Sequence, residues 1–252
     1  MVINVTNFMT RLLVIQHLER EGPGLFLGLA QERGLEVKVI RVDLGESLPS
    51  PEKGDGLLVL GGPMGVADLG NSAFPWLLEE VHLIEHALEN QNPFIGVCLG
   101  AQLLAHAAGG GVEPLLGGLS HNPLAEVGWA PIEPAVEADI DPLIANFRQP
   151  LDVLHWHGDR ILLPAKAKIL ASSHRCREQL FRIGPCAYGL QFHLEVEDSD
   201  VFNWIREDGE FIRAALGDDA PSILREQQHK YGPISRPRRL QLLDDLINLL
   251  WR

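Results

Sequence analysis

Short, uninterrupted apolar segments alternate with helix-like segments through the first half of the sequence. Apolar strands separated by helices are typical of a parallel β-sheet that helices cover on both faces. Strands are predicted at residues 11–17, 37–42, 56–60 and 94–97, and helices at 25–33, 75–90 and 99–108. The pattern predicts an α/β three-layer sandwich with a mostly parallel central sheet and functional loops at the carboxyl ends of the strands.

The second half of the sequence has a different pattern. Proline-punctuated, strand-like segments are predicted at residues 153–157, 169–173 and 187–192, followed by a helix at 202–216. An irregular connector is then expected at 217–237 and an amphipathic helix at about 240–251. Four apolar residues of that helix have helical spacing: Leu243, Leu246, Ile247 and Leu250. The predicted organisation is a domain at 1–216 and a C-terminal extension at 217–252.

A cysteine lies between two glycines in the segment FIGVCLGAQ, residues 94–102. A strand that leads into Gly-x-Cys-x-Gly and then a helix is the nucleophile-elbow pattern, with Cys in place of Ser. Gly96 and Gly100 would let strand and helix pass closely at the strained turn. A helix N-terminus favours a thiolate placed there, and its free N–H groups can bind an oxyanion. Cys98 is the candidate nucleophile, although a buried structural cysteine would fit the same spacing.

A cysteine nucleophile needs a general base, and the base needs an orienting partner. Both residue types occur in the segment QFHLE, residues 191–195, at the end of a predicted strand. Residues two apart in a strand point to the same side. Glu195 could therefore hold the ring of His193 and stabilise its cation, whereas the pair taken alone could also lie on the surface.

A glycine-rich loop, Gly61-Gly62-Pro63-Met64-Gly65, follows the third predicted strand. Glycines leave backbone N–H groups accessible because no side chain stands in the way. Such a loop can complete an oxyanion hole, although in isolation it is only a turn.

A glycine loop, a cysteine elbow and a strand-end His-x-Glu follow one another in this order along the chain on an α/β background, and together they resemble the class I (triad) glutamine amidotransferases. The resemblance covers about residues 11–205 and is greatest to stand-alone proteins similar to the amidotransferase half of GMP synthase. It implies a flavodoxin-like fold and a catalytic triad of Cys98, His193 and Glu195. The triad would hydrolyse the γ-amide of glutamine through a γ-glutamyl thioester and release ammonia, with no metal and no cofactor.

The resemblance also implies roles for residues around the nucleophile. The backbone N–H groups of Gly62 and Leu99 would form the oxyanion hole, with Gly61 beside them. Gln102 matches the substrate-contacting glutamine that follows the elbow. The segment HWHGD resembles a loop that contacts the amino-acid end of the substrate, which gives three further candidates: His157, Gly158 and Asp159.

Charge and cysteine usage limit the partners and the location. With 21 Lys and Arg against 34 Asp and Glu, the net charge of −13 argues against a nucleic-acid-binding face. The basic cluster Arg236, Arg238 and Arg239 is interpreted as a solvated helix start. No apolar run approaches the ~18 residues of a membrane span, and residues 1–10 lack the pattern of an export signal. Three cysteines without CxxC spacing indicate a reducing, cytoplasmic location.

Two segments resemble metal-binding motifs. Residues 82–86 read HLIEH, an H-x-x-E-H motif, but His82, Glu85 and His86 lie off the apolar stripe of their helix. The segment His155-x-His157-x-Asp159 resembles a metallo-β-lactamase motif, but the next residue is Arg160 instead of His. No metal is expected at either.

Several functions stay open. The small-molecule substrate is glutamine or another γ-glutamyl compound, and the alternatives are a free-standing γ-glutamyl peptide or amine hydrolase, a cysteine peptidase of related fold, and a non-enzymatic binding module. The sequence has neither a Ser-Gly-Gly pyrophosphatase loop nor a Walker A motif, so it predicts no synthase domain of its own. A synthase partner subunit is therefore the possible ammonia acceptor.

Overall fold

The computed structural model describes residues 10–117, 122–135, 141–145 and 147–251. The strands are β1 Arg11–Gln16, β2 Glu36–Arg41, β3 Gly56–Val59, β4 Phe94–Val97, β5 Gly111–Pro114, β6 Leu116–Gly117, β7 Asn122–Pro123, β8 Glu126–Pro134, β9 Leu151–His157, β10 Asp159–Leu162, β11 Lys168–Ser172, β12 Leu180–Ile183 and β13 Ala187–Leu190. The helices are α1 Leu25–Glu32, α2 Trp76–Glu89, α3 Leu99–Ala107, α4 Val201–Glu207, α5 Gly209–Leu216 and α6 Ala220–Leu250.

A large central sheet has the strand order β2-β1-β3-β4-β13-β12-β11-β8-β9. The five strands from β2 to β13 are parallel to one another, and antiparallel strands extend the sheet from β12 to β9. The carboxyl ends of β1, β3, β4 and β13 therefore meet at one edge, which is where functional loops are expected in a parallel sheet.

Apolar side chains cover the sheet on both faces, as the continuous apolar strands predict. Along β1, Leu12 and Val14 pack in one core and Leu13 and Ile15 in the other, because successive strand side chains alternate. The first core includes α1 and α6 and the second includes α2 and α3. The predicted α/β three-layer architecture is confirmed.

The helix expected at residues 202–216 is wrong as one element, because it is broken into α4 and α5 at Asp208. Asp208 leaves helical geometry and Gly209 follows it. The break turns the Asp208 carboxylate toward Arg20 and Trp156. The helix boundary thus coincides with contacts to two side chains that are distant in sequence, which local periodicity cannot predict.

The irregular connector expected at 217–237 is also wrong, since most of that segment belongs to the 31-residue helix α6. Pro233 and Pro237 remove two backbone donors and would normally end a helix. Their spacing of four residues places both rings on the exposed face, where water can bind the freed carbonyl groups. The opposite face is packed, because Gln228, Gly232 and Arg239 are buried. Tertiary packing therefore outweighs the local cost of the prolines.

The basic cluster at the middle of α6 is not a solvated helix start. Arg238 is exposed and Arg236 is half-buried, but Arg239 is fully buried. Arg239 donates to the backbone oxygens of Leu194 and Val196 at 3.1 and 2.9 Å. The C-terminal helix is thus hydrogen-bonded to the backbone on both sides of Glu195.

The apolar face of α6 packs onto the rest of the chain, with Leu243, Leu246 and Ile247 buried in the core. The division into 1–216 and 217–252 stays a prediction. Residues 1–9, which bear on the expected absence of an export signal, lie outside the described residues. Within the described ranges, no helix combines the length and apolarity needed to cross a membrane.

Candidate active site

Cys98 sits at the turn between β4 and α3 with a backbone φ of +50°, a region that non-glycine residues rarely adopt. A Cβ on Gly96 would overlap the backbone of Gly100, and one on Gly100 would overlap the backbone oxygen of Val59. The two glycines therefore allow strand β3, strand β4 and the start of α3 to approach one another. The predicted strained elbow is present, and it holds the Cys98 thiol at a helix N-terminus.

Gly100→Ala is expected to destabilise the protein by at least about 2 kcal/mol, because the added methyl group must displace backbone. Gly28 is the matched control, since it lies in helix α1 with open space where its Cβ would be. Gly28→Ala is expected to stabilise by about 0.5–1 kcal/mol. Urea denaturation of both variants measures the difference, and equal effects would contradict the close-approach argument.

His193 lies just beyond the end of β13, where its N–H donates to the backbone oxygen of Leu154 at 2.9 Å. Its Nδ1–H donates to Glu195 Oε1 at 2.6 Å, and both side chains are buried. Burial by itself lowers the pKa of His193, but the Glu195 carboxylate and the Cys98 thiol outweigh it and raise that pKa well above its usual value. The arrangement therefore favours the imidazolium form beside the thiol.

A cavity of about 350 Å³ opens above Cys98 and His193. Six other residues singled out from the sequence also line it: Gly62, Leu99, Gln102, His157, Gly158 and Asp159. Gln102 Nε2 is 3.4 Å from Gln191 Oε1, and Gln191 Nε2 is 3.7 Å from Cys98 Sγ. Glu195 lies behind His193, and a Cβ on Gly61 would overlap the Glu21 carboxylate. The structure thus brings every sequence-predicted site residue to one place.

Sequence reasoning missed several cavity residues: Arg20, Glu21, Met64, Trp156, Asp208 and Phe211. Arg20 binds both oxygens of Asp208 at 2.7 and 2.8 Å, and Trp156 Nε1 donates to Asp208 at 2.8 Å. Burial raises the pKa of Glu21, which lies beside His193. The position of Arg20 and Glu21 just after β1 was the available signal, because that strand end meets the edge where Cys98 lies.

A buried ion pair holds the glycine loop. His17 Nδ1–H donates to the backbone oxygen of Gly61 at 2.9 Å, and Nε2–H faces both Glu80 oxygens at 3.0 Å. Burial alone lowers the pKa of His17, but the Glu80 carboxylate raises it by more. With both ring nitrogens facing acceptors, a protonated His17 satisfies every contact and fixes the backbone of Gly61.

The two sequence motifs considered for metals have different outcomes. His82, Glu85 and His86 are exposed on α2, as their position off the apolar stripe predicts. Among the described residues, one group could hold a metal ion, and it consists of Glu126, His155 and His157. Asp159 contributes only its backbone oxygen there, to His157 Nδ1 at 2.8 Å.

Residues 27–201 match the profile of the glutamine amidotransferase class-I family. The chain is 33% identical over 210 residues to the glutamine amidotransferase-like protein YfeJ of Salmonella typhimurium, which covers 82% of this chain and 84% of that protein. It is 32% identical over 155 residues to a subunit of the glutamine-hydrolyzing GMP synthase of Saccharolobus solfataricus, covering 59% of this chain and 71% of that protein. This chain belongs to the class-I glutamine amidotransferases.

The solved structures agree with this assignment. A crystal structure of a glutamine amidotransferase from Thermotoga maritima superimposes with a TM-score of 0.81 at 29% identity. The alignment covers 97% of this chain and 99% of that one. The similarity therefore extends over α6 as well as over the family match.

Proposed function

We propose that this chain hydrolyses the γ-amide of glutamine, with Cys98 as nucleophile, His193 as acid and base, and Glu195 as the orienting acid. The proposal rests on one arrangement of side chains. Cys98, whose backbone φ is +50°, lines the same cavity as His193, and His193 is hydrogen-bonded to Glu195 at 2.6 Å. Family membership supports amide hydrolysis in general, and the geometry supports these residues as its agents.

In the first half reaction, the Cys98 thiolate attacks the Cδ carbonyl carbon of glutamine and forms a C–S bond. The N–H groups of Gly62 and Leu99 hold the resulting oxyanion, because both residues border the cavity beside the sulfur. His193 then gives its proton to the departing nitrogen as the C–N bond breaks. The products of this step are ammonia and a γ-glutamyl thioester on Cys98.

In the second half reaction, neutral His193 takes a proton from water, and the hydroxide formed attacks the thioester carbonyl. The C–S bond breaks and Cys98 leaves as the thiolate beside the protonated His193, which is the starting state. The product γ-carboxyl group releases its proton to solvent, and glutamate departs. Glu195 keeps the Nδ1–H of His193 pointed at itself, so that the other ring nitrogen faces the sulfur and the water.

The remaining cavity residues would recognise the substrate. Gln102, His157, Gly158 and Asp159 are proposed to contact the amino-acid end of glutamine. A second candidate substrate class is a γ-glutamyl peptide or amine, because the cavity also holds two aromatic side chains, Trp156 and Phe211. A flat or apolar group on the γ-nitrogen would pack against such rings.

The ammonia acceptor distinguishes two forms of the proposal. Some relatives are separate subunits of a glutamine-hydrolyzing GMP synthase, and a synthase partner would fit that comparison. The packing of α6 onto its own domain supports a self-contained hydrolase instead. The three free cysteines fit a cytoplasmic location in either case.

The test is release of ammonia and glutamate by the purified protein, with glutamine and with small γ-glutamyl peptides. We expect release without an added synthase, and we expect none from the matched Cys98→Ala protein. Release by Cys98→Ala equal to that of the wild type would contradict the proposal. No release from any substrate, with Cys98 intact by mass spectrometry, would favour the partner-dependent form over the free-standing hydrolase.

A further inference from the structure

A buried cluster of Glu126, His155 and His157 lies at the pairing of β8 with β9. The antiparallel register sets Glu126 opposite His157 and Gly128 opposite His155, so the three side chains share one face. All three are buried, and one ligand atom from each lies within 4.8 Å of the others. The proposed reaction at Cys98 uses neither Glu126 nor His155.

Backbone contacts fix which ring nitrogens carry hydrogen. His155 Nε2 lies 3.3 Å from the oxygen of Ala130, and His157 Nδ1 lies 2.8 Å from the oxygen of Asp159. A carbonyl oxygen only accepts, so each of these nitrogens must donate. In neutral imidazoles the lone pairs are then on His155 Nδ1 and His157 Nε2. These are the two nitrogens that face Glu126 Oε2, at 4.0 and 3.2 Å.

The cluster leaves one buried ring nitrogen without a hydrogen-bond partner. His157 Nε2 lies 3.2 Å from Glu126 Oε2, but the buried His155 Nδ1 lies 4.0 Å from that oxygen and has no hydrogen-bond partner. A buried lone pair left in this way is costly. A cation between the three atoms would pair with all of them.

We propose that Glu126, His155 and His157 bind a divalent transition-metal ion, with Zn²⁺ as the best match. Two imidazole nitrogens and one carboxylate are a common zinc ligand set, and the fourth position is then held by water. Ligand atoms of a tetrahedral zinc site lie roughly 3.4 Å apart. The 3.2 and 4.0 Å separations need only small adjustments of side chains to reach that geometry.

The surroundings of the cluster also match a metal site. Metal-binding histidines typically donate their other N–H to a backbone carbonyl, as His155 and His157 both do. Ser173 Oγ and Gln179 Nε2 each donate to a different Glu126 oxygen at 2.6 Å, and so orient the carboxylate. A separate cavity of about 380 Å³ includes Glu126 and His155 in its wall and provides a path for entry.

The sequence alone gives no reason to expect a metal here, because Arg160 replaces the histidine that the H-x-H-x-D-H motif requires. The third ligand comes from Glu126 on the neighbouring strand, which only the β8–β9 register reveals. Since His157 also borders the cavity above Cys98, the ion would fix one wall of the candidate active site.

The test uses metal-free protein that carries Cys98→Ala, so that the thiol cannot bind zinc. Isothermal titration with Zn²⁺ is expected to give one site per chain, and Co²⁺ is expected to produce visible ligand-field absorption. Adding His155→Asn should weaken the Zn²⁺ affinity by at least about 100-fold. The matched control is His174→Asn, an exposed histidine on the wall of the same cavity, which should leave the affinity unchanged.

The thermal midpoint gives a second readout, because ion binding to the folded state raises it. Zn²⁺ is expected to raise the midpoint of the Cys98→Ala protein and of its His174→Asn form, but not of its His155→Asn form. Absence of Zn²⁺ binding to Cys98→Ala, or binding that His155→Asn leaves intact, would overturn the proposal. If His155→Asn does not fold, the Zn²⁺ titration and Co²⁺ spectrum of Cys98→Ala decide it alone. None of these outcomes depends on amide hydrolysis.

Discussion

His193→Ala is expected to lower kcat/KM for glutamine by about 10⁴-fold, because the variant loses the group that we propose transfers protons in both half reactions. The imidazolium form that is favoured beside Cys98 is lost with it. Steady-state ammonia release measures the effect, and far-UV circular dichroism checks that the fold is kept. Wild-type activity in His193→Ala would remove the triad assignment.

Glu195→Gln is expected to lower kcat/KM for glutamine less than His193→Ala does, by about 10²-fold. The amide still accepts the Nδ1–H of His193, but it no longer supplies the charge that raises the His193 pKa. Burial then lowers that pKa, so the imidazolium is lost at lower pH than in the wild type. The alkaline fall of kcat/KM should therefore shift to lower pH. An unshifted pH profile would argue against Glu195 as the partner of His193.

Arg239→Met is expected to lower the free energy of unfolding by at least about 2 kcal/mol, because it removes the donor of two backbone oxygens and each unsatisfied buried group costs about 1–3 kcal/mol. Arg239 is fully buried, binds Asp198 at 2.8 Å, and stacks 5.0 Å from the Trp129 ring. Its removal leaves the backbone oxygens of Leu194 and Val196 without their donor. The loop that carries Glu195 should therefore loosen before the rest of the chain.

The matched control is Arg225→Met, because Arg225 is exposed on the same helix. It is expected to change stability by no more than about 0.5 kcal/mol. Urea denaturation of both variants, with kcat measured well below the midpoint, separates loss of folding from loss of positioning. Equal stability of Arg239→Met and the wild type would contradict the inference that Arg239 of α6 stabilises the Glu195 loop.

The parts of the fold that local pattern encodes were predictable from the sequence. The strand and helix that flank Cys98 follow from a four-residue apolar run, two glycines and a helical apolar stripe. The helical structure of most of residues 217–237 was not predictable, because prolines that normally end helices lie here on a solvated face. Whether a proline face is solvated depends on tertiary packing, which no local window contains.

The candidate site also contains residues that the sequence could predict and residues that it could not. Cys98, His193 and Glu195 lie in short motifs whose spacing already indicates their chemistry. Arg20 and Asp208 meet across the cavity although 188 residues separate them, and neither lies in a motif. Glu126 joins His155 and His157 only through the register of two antiparallel strands. Contacts of that kind depend on how the elements assemble, so the sequence could not supply them.

Cys98, and neither of the other two cysteines, is the proposed nucleophile. Burial raises the pKa of Cys176 to about 12 and also raises that of Cys186, so both thiols stay protonated at neutral pH. Peptide mass spectrometry after reaction with a glutamine-analogue diazo-ketone identifies the reactive cysteine. Covalent label is expected on Cys98 alone, with parallel loss of ammonia release, whereas label on Cys176 or Cys186 with Cys98 unmodified would exclude Cys98 as the nucleophile.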